Sequence, residues 1–456
     1  MPTRSSSRFS FAALIVGVAA LAGSALGQPL NEDLKLIPAD NLAGDNFGYS
    51  IDIDNGIIVS GARYDDTGTT SGSAYLYDAA TGAELFKLVP SDGAAGDEFG
   101  FSVAIDSGVV AVGAYKDDDA GSNSGSVYLF NATTGVQYAK LTASDAAQTD
   151  WFGYSVAIHG GIVAVGAVSD TNAGGGFAGS AYLFDATTGA QLHHLFAGDP
   201  DVSDQFGVRV AIDSGVVAVG AYQDDDLGSK SGSVYLFDAA TGTQYAKVLP
   251  LDGAAGDEFG RQLSISSGIL AAGVQLDDDL GDRSGSAYLF DVTTGDQIAK
   301  LLPDDGEALD RFGSDVSISD GVVAVGSYQD DDNGAGSGSA YLFDAATGAQ
   351  TAKLLSSDGL LADRFGWSIA IQSGTVAVGV PSRYDNGNTS GAAYVFSLPG
   401  PDCVADLSGD GILDNGDIGV FVGLFLAGDL SADMSGDGIL DNGDIGVFVA
   451  LFLAGC

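Results

Sequence analysis

Between residues 30 and 399 the apolar positions fall in short β-branched and aromatic runs that polar turns interrupt at a steady rhythm. Residues 99–145 show the unit: FGFSVAIDSGVVAVGAYKDDDAGSNSGSVYLFNATTGVQYAKLTASD. Ser-Gly, Asp-Asp and Thr-Gly turns cut it into SVAID, VVAVGAY, GSVYLF and QYAKL, and four strands are predicted. Helical periodicity is absent here. VVAVG and VYLF are apolar at consecutive positions, as in sheets covered on both faces. Phe-Gly recurs at 47, 99, 152, 206, 259, 312 and 365, so the unit is present seven times. Sheets stacked around an axis give each other that double cover. The last repeat ends at GAAYVFSLPG with three strands, whereas LKLIPAD at 34–40 matches FKLVPSD at 86–92. An N-terminal strand that completes the last blade would close the ring and remove an open sheet edge. The fold class predicted for residues 28–399 is an all-β seven-bladed β-propeller of four-stranded antiparallel blades.

Residues 1–27 change the setting. Arg4 and Arg8, the run FAALIVGVAALAG and a small-residue end form the pattern of a secretory signal peptide. A secreted, extracellular or cell-surface protein is expected, with no transmembrane segment in the mature chain. The excess of 61 acidic over 17 basic residues gives a formal charge of -44, which repels nucleic acid and favours divalent cations.

Acidic residues recur in the propeller itself. A pair five apart precedes each Phe-Gly, from Asp40 and Asp45 to Asp358 and Asp363, and is read as turn capping. A second set, Asp117–Asp119, Asp224–Asp226, Asp277–Asp279 and Asp330–Asp332, follows the second strand. Solvated turns and additional propeller-loop calcium are the two readings of that set. Residues that depart from the repeat are where a pocket would show: His159, His193, His194, Trp151, Trp367, Arg209, Arg261, Arg311 and Arg364. None falls into a nucleophile or metal-hydrolase motif, and no catalytic residue is assigned.

After a linker at 400–402, residues 403–456 contain SGDGILDNGDIGVFV twice, at 408–422 and 435–449. With Asp406 as position 1, Ser408, Asp410, the Ile412 carbonyl, Asp414 and Asp417 fall at positions 3, 5, 7, 9 and 12 of an EF-hand-type loop. Asp433, Ser435, Asp437, Ile439, Asp441 and Asp444 repeat the set. Two calcium ions are therefore expected, because calcium takes six to eight hard oxygens and such a loop supplies them. Cys403 and Cys456 bracket the duplication, and in an oxidising compartment one disulfide between them is expected. Val420, Leu424, Val447 and Leu451 of the apolar segments after each loop are candidates for an exposed patch.

The seven FG...SVAI...VAVGA...SGSVYLFD units resemble the FG-GAP repeats of integrin-α-type propellers. The DxDxDG calcium loop common between the first two strands of that family is replaced here by turns such as Asp106-Ser107-Gly108. Two calcium loops, each followed by one helix-sized apolar segment, resemble a dockerin, in the form with a Gly-Cys ending found on secreted planctomycete proteins. The resemblances imply a small α-helical two-loop module and, as partner, a cohesin-like or other cell-surface protein. Asn415-Gly416 and Asn442-Gly443 stand where cellulosomal dockerins carry their Ser-Thr pair, so a standard cohesin does not follow. The expectation is a non-enzymatic adhesion or scaffold protein whose propeller offers an acidic surface to an extracellular protein or carbohydrate. The alternative is a dockerin-borne glycoside hydrolase whose active site gathers unlike residues on the propeller axis.

Overall fold

A computed structural model describes residues 30, 32–65, 70–172, 175–387, 389–398, 415–428, 430–432, 434, 439–440 and 444–449. The repeats form seven four-stranded antiparallel sheets. Blade 2 shows the order from the axis outward: Ser102–Asp106, Val109–Ala114, Ser126–Asn131 and Gln137–Leu141. The second and third strands are the most enclosed, since a blade lies on each of their faces, and Val110, Ala111 and Val112 of the second are all fully buried. The outer strand is half-exposed, which explains why its sequence alternates and the second strand's does not.

Ring closure runs as the truncated last repeat predicts. Ser368–Gln372, Thr375–Val380 and Ala392–Ser397 supply three strands of blade 7, and Leu34–Leu36 pairs antiparallel with the third. The paired stretch is shorter than LKLIPAD; its register sets Lys35 opposite Tyr394.

The Phe-Gly motif holds neighbouring blades together. Phe99 is fully buried and meets Tyr128 and Phe130 of its own blade edge-on at 5.6 and 5.8 Å, a favoured aromatic geometry. It forms a β-bridge to Gly72 of blade 1, and the same bridge recurs around the ring, with Phe47 reaching Gly391. Backbones approach closely there: a Cβ on Gly113 would lie 2.2 Å from the Gly153 carbonyl oxygen of the next blade. Each of the seven hydrophobic clusters of the propeller spans a blade boundary, such as Leu76 and Leu88 of blade 1 with Phe99, Val112 and Tyr128 of blade 2.

Candidate functional site

The recurrent aspartates divide into three jobs, all visible in blade 6. The second member of the pair, Asp310, accepts the Glu307 amide at 2.7 Å, and every blade repeats this cap. The first member, Asp305, does not cap. It accepts the Tyr341 hydroxyl at 3.0 Å and the Lys353 ammonium at 2.7 Å. In the second set, Asp330 is buried and accepts the same hydroxyl at 2.6 Å, while Lys353 Nζ lies 3.1 Å from it and 2.5 Å from Asp332. Three carboxylates thus converge on one cation, and that cation is the lysine ammonium. Blades 2, 4 and 5 copy the arrangement with Lys140, Lys247 and Lys300. Among the described residues no group of His, Cys, Asp and Glu is arranged to hold a metal.

Three blades vary this network. In blade 1 Lys87 meets two carboxylates, Asp40 at 2.6 Å and Asp65 at 2.8 Å. In blade 7 Arg383 stands in the aspartate's place and pairs with Asp358, Asp363 and Asp385, while the closing strand supplies Lys35. In blade 3 His194 replaces the lysine, stacked 4.1 Å from Tyr182 and between Asp145 and Asp170. Burial lowers its pKa despite those carboxylates. His193 bonds the Ala240 carbonyl of blade 4, and His159 lies on the axis 3.5 Å from Asp213. The histidines therefore occupy separate places and share no site.

The innermost strands surround a channel of about 520 Å³. Their free edge would leave amides unpaired, and a polar side chain from the preceding blade accepts many of them. Asp52 takes the Ile105 amide at 2.8 Å, Ser155 the Val210 amide at 3.0 Å and Asp315 the Ile369 amide at 2.9 Å. Burial pushes the Asp52 carboxyl up to about 7, against the hydrogen bonds from the Ile105 and Ile53 amides. Burial also raises Asp315, which Arg209 meets at 3.0 Å.

At one mouth of this channel the repeat stops repeating. The residues immediately before Phe-Gly are Asn46, Glu98, Trp151, Gln205, Glu258, Arg311 and Arg364; those immediately after are Tyr49, Phe101, Tyr154, Val208, Arg261, Ser314 and Trp367. All members of the first group have positive φ, between 54° and 63°, a conformation that costs a non-glycine residue about 1 kcal/mol or more. Half-buried rings form an arc here. Tyr328 meets Trp367 at 5.1 Å, Trp367 meets Tyr49 at 5.7 Å, Tyr49 meets Phe101 at 5.2 Å, and Phe101 meets Tyr154 at 4.8 Å. Arg63 lies 3.9 Å over Tyr49, and Arg261 4.9 Å over Tyr222. Arg63 and Arg261 also pair with Glu98 and Glu258. Among the described residues no carboxylate pairs with Arg311 or Arg364, which reach Tyr328 at 5.9 and 6.0 Å. The mouth is thus aromatic and arginine-rich, where an acidic surface was expected. Trp151, Trp367, Arg261, Arg311 and Arg364 were legible as departures from the repeat, but Tyr49, Phe101, Tyr154 and Arg63 were not singled out. Aligning the columns that flank Phe-Gly finds most of them.

The profile described as FG-GAP repeat matches residues 30–77, 83–130, 136–184, 190–237, 243–290, 296–343 and 349–396. The chain belongs to the FG-GAP repeat family. Each matched FG-GAP unit starts near the outer strand of one blade and ends in the third strand of the next, so the offset that closes the ring is built into the repeat. The FG-GAP propeller is a fold of recognition and protein interaction, typical of extracellular proteins. No curated protein matches the chain in sequence. Among the described residues no helix is long and apolar enough to cross a membrane.

The C-terminal segment lies outside the FG-GAP units. Of its proposed ligands, Asp406, Ser408, Asp410, Ile412, Asp414, Asp433, Ser435, Asp437 and Asp441 are outside the described residues, as are Cys403, Cys456 and the signal segment. Asp417 lies in the first turn of the helix Asn415–Ala427. Asp444 opens the helical residues 444–449 and is fully buried, and Ile439 is exposed. Phe421 and Phe448 stack at 4.2 Å between the two helical segments. That stacking corrects the expected patch. Val420, Leu424 and Val447 are half-buried, Leu424 packs beside Phe421, and Leu451 is outside the described residues. The exposed residues are Ile418, Val422 and Leu426 on one helix, and Ile445 and Val449 on the other.

Proposed function

We propose that this protein is a secreted, non-enzymatic binding and scaffold protein. Its propeller recognises an extracellular ligand, and its C-terminal module tethers it to a cohesin-like or other cell-surface protein in a calcium-dependent way. One observation carries the recognition half: side-chain identity is free to vary around one mouth while the contacts that hold the blades are copied from blade to blade. A scaffold that fixes its frame and varies one rim is arranged for binding. For the tether, the two loop patterns in register support two calcium ions. The buried Asp444 and the phenylalanine stack support one small folded unit made of both copies.

The test retains envelope and secreted proteins on the immobilised full-length chain, with calcium and with chelator, beside an Asp410→Ala, Asp437→Ala variant. Calcium-dependent retention of a defined protein that the variant loses is the expected result. Equal retention in chelator removes the tether.

One observation favours the hydrolase reading: Asp52, held near 7, stands on an axis that gathers unlike residues. Against it, Asp52 and Asp315 already bond backbone amides of the blades. Release of reducing sugar by the wild type, abolished by Asp52→Asn, would establish it.

A further inference from the structure

The mouth of the channel is built for a definite chemistry. Chain-wide charge repels anions, yet of the seven arginines beyond residue 27, five gather at or inside this mouth: Arg63, Arg209, Arg261, Arg311 and Arg364. Charge fields reach only about 8 Å at physiological ionic strength, so the distant acidic loops do not cancel them. Glu98 pairs with Arg63 and Lys116, Glu258 with Arg261, and Asp315 with Arg209. Arg311 and Arg364 are left, both within 6.0 Å of the Tyr328 ring, and Arg364 is 5.7 Å from Trp367. Two guanidiniums beside two half-buried aromatic rings form a subsite that pairs a carboxylate with a flat, hydrogen-rich ring.

The channel wall behind it narrows the class further. Gln262 Oε1 is buried there and accepts no hydrogen bond, and an acceptor left so calls for a donor from the occupant. Serines recur along the lining, but Ser50, Ser102, Ser314 and Ser368 already donate to backbone carbonyls of the neighbouring blade, which leaves the Gln262 oxygen as the open acceptor. An unsatisfied acceptor, aromatic rings and a carboxylate clamp together match a sugar acid, whose hydroxyls donate, better than an acidic peptide, which brings few hydroxyls. The blades close the channel on every side, so it admits a chain end and not a passing chain. Its volume of about 520 Å³ lies within the range of small-molecule sites.

We propose that the mouth binds the terminal residues of a uronate-containing saccharide, its ring on Trp367 and Tyr328 and its carboxylate on Arg311 and Arg364. This rests on the reading of the propeller as a recognition domain and gives that domain a ligand class.

Titration calorimetry on the full-length protein tests it with uronic acid trimers (galacturonate, mannuronate, glucuronate), their neutral methyl esters and triglutamate. One acidic trimer binds, and its ester binds about tenfold more weakly or worse, since charge-assisted pairs are lost. Arg311→Ala with Arg364→Ala removes that difference, whereas Trp367→Ala weakens acid and ester alike. Unchanged melting temperatures show that the variants are folded, as expected for exposed Arg364 and half-buried Trp367. Binding of no trimer, equal binding of acid and ester, unaltered binding by the double variant, or triglutamate binding as tightly as the sugar would each overturn the proposal. A chain that binds none of these yet retains extracellular material through the mouth loses only the sugar assignment. One that retains nothing through the mouth loses the recognition reading as well.

Discussion

Replacing Lys353 with Met separates a cation that holds the fold from one that decorates it. The ammonium lies 2.7 Å from Asp305, 3.1 Å from Asp330 and 2.5 Å from Asp332. Burial alone would lower its pKa, but the hydrogen bonds it donates to these carboxylates hold it well above the ordinary lysine range. Its stabilisation is therefore complete below the unfolded lysine value of about 10.4 and is lost only as pH rises through the folded value. Methionine keeps the packing and leaves buried Asp330 facing two other carboxylates. Loss of one partner from a buried pair costs about 3–5 kcal/mol. Asp305 and Asp332 are 45% and 44% exposed, so water screens them and each adds under about 1 kcal/mol. The Tyr341 hydroxyl still bonds Asp330, which places the total near the lower end, about 3 kcal/mol. A domain above 250 residues then loses about 5 °C of melting temperature. Scanning calorimetry of the variant against Lys230→Met, whose lysine is exposed, measures it. Calcium should restore part of the loss, since three carboxylates then lack their cation. A shift within about 1 °C of the control, with no calcium effect, would refute the reasoning.

Acidification should stabilise the propeller. Burial pushes the capping carboxyls Asp45, Asp150, Asp257 and Asp310 up to about 6, so the native state holds their protons more tightly than the unfolded chain. Stability then falls as pH rises from about 4 to about 6, and the melting temperature should be higher at pH 5 than at pH 7; a fall on acidification contradicts this. Asp40, Asp92, Asp252 and Asp358, lowered below 3.8, act oppositely and only under more acid conditions. Gly113→Ala puts a Cβ 2.2 Å from the Gly153 carbonyl and should destabilise by about 3 kcal/mol or more as blades 2 and 3 separate, measured by urea unfolding; a cost under about 1 kcal/mol would show that the blades can shift apart freely. Calcium should raise a melting transition of the full-length chain that Asp410→Ala with Asp437→Ala abolishes; an identical response in the double variant removes the two-loop assignment.

The blades were legible because the signals that make them are local. Ser-Gly and Thr-Gly turns, β-branched runs and the Phe-Gly period all lie within one unit, and the missing fourth strand of the last repeat named its own replacement. The caps were legible for the same reason, since Asp97 bonds Ala94 only three residues away. The cation network was not, because Lys140 meets Asp92 across 48 residues. Only the folded register brings them together. The mouth escaped notice because Tyr49, Phe101 and Tyr154 look like ordinary members of apolar strands. Their difference from Val208 and Ser314 acquires meaning only when the ring places those columns side by side. On the C-terminal helices an almost uniformly apolar sequence gave no face preference, and the stacking of Phe421 on Phe448 chose it.

Retention of the full-length protein on extracellular polysaccharide and envelope material from its source tests the central claim most directly. Wild type is compared with a mouth variant, Arg311→Ala, Arg364→Ala and Trp367→Ala, and a rim variant altered at the exposed outer-strand residues Tyr138 and Tyr245, all in chelator so that the propeller alone contributes. The account predicts that the mouth variant is released while the rim variant is retained like wild type. Retention of the mouth variant with release of the rim variant would contradict it.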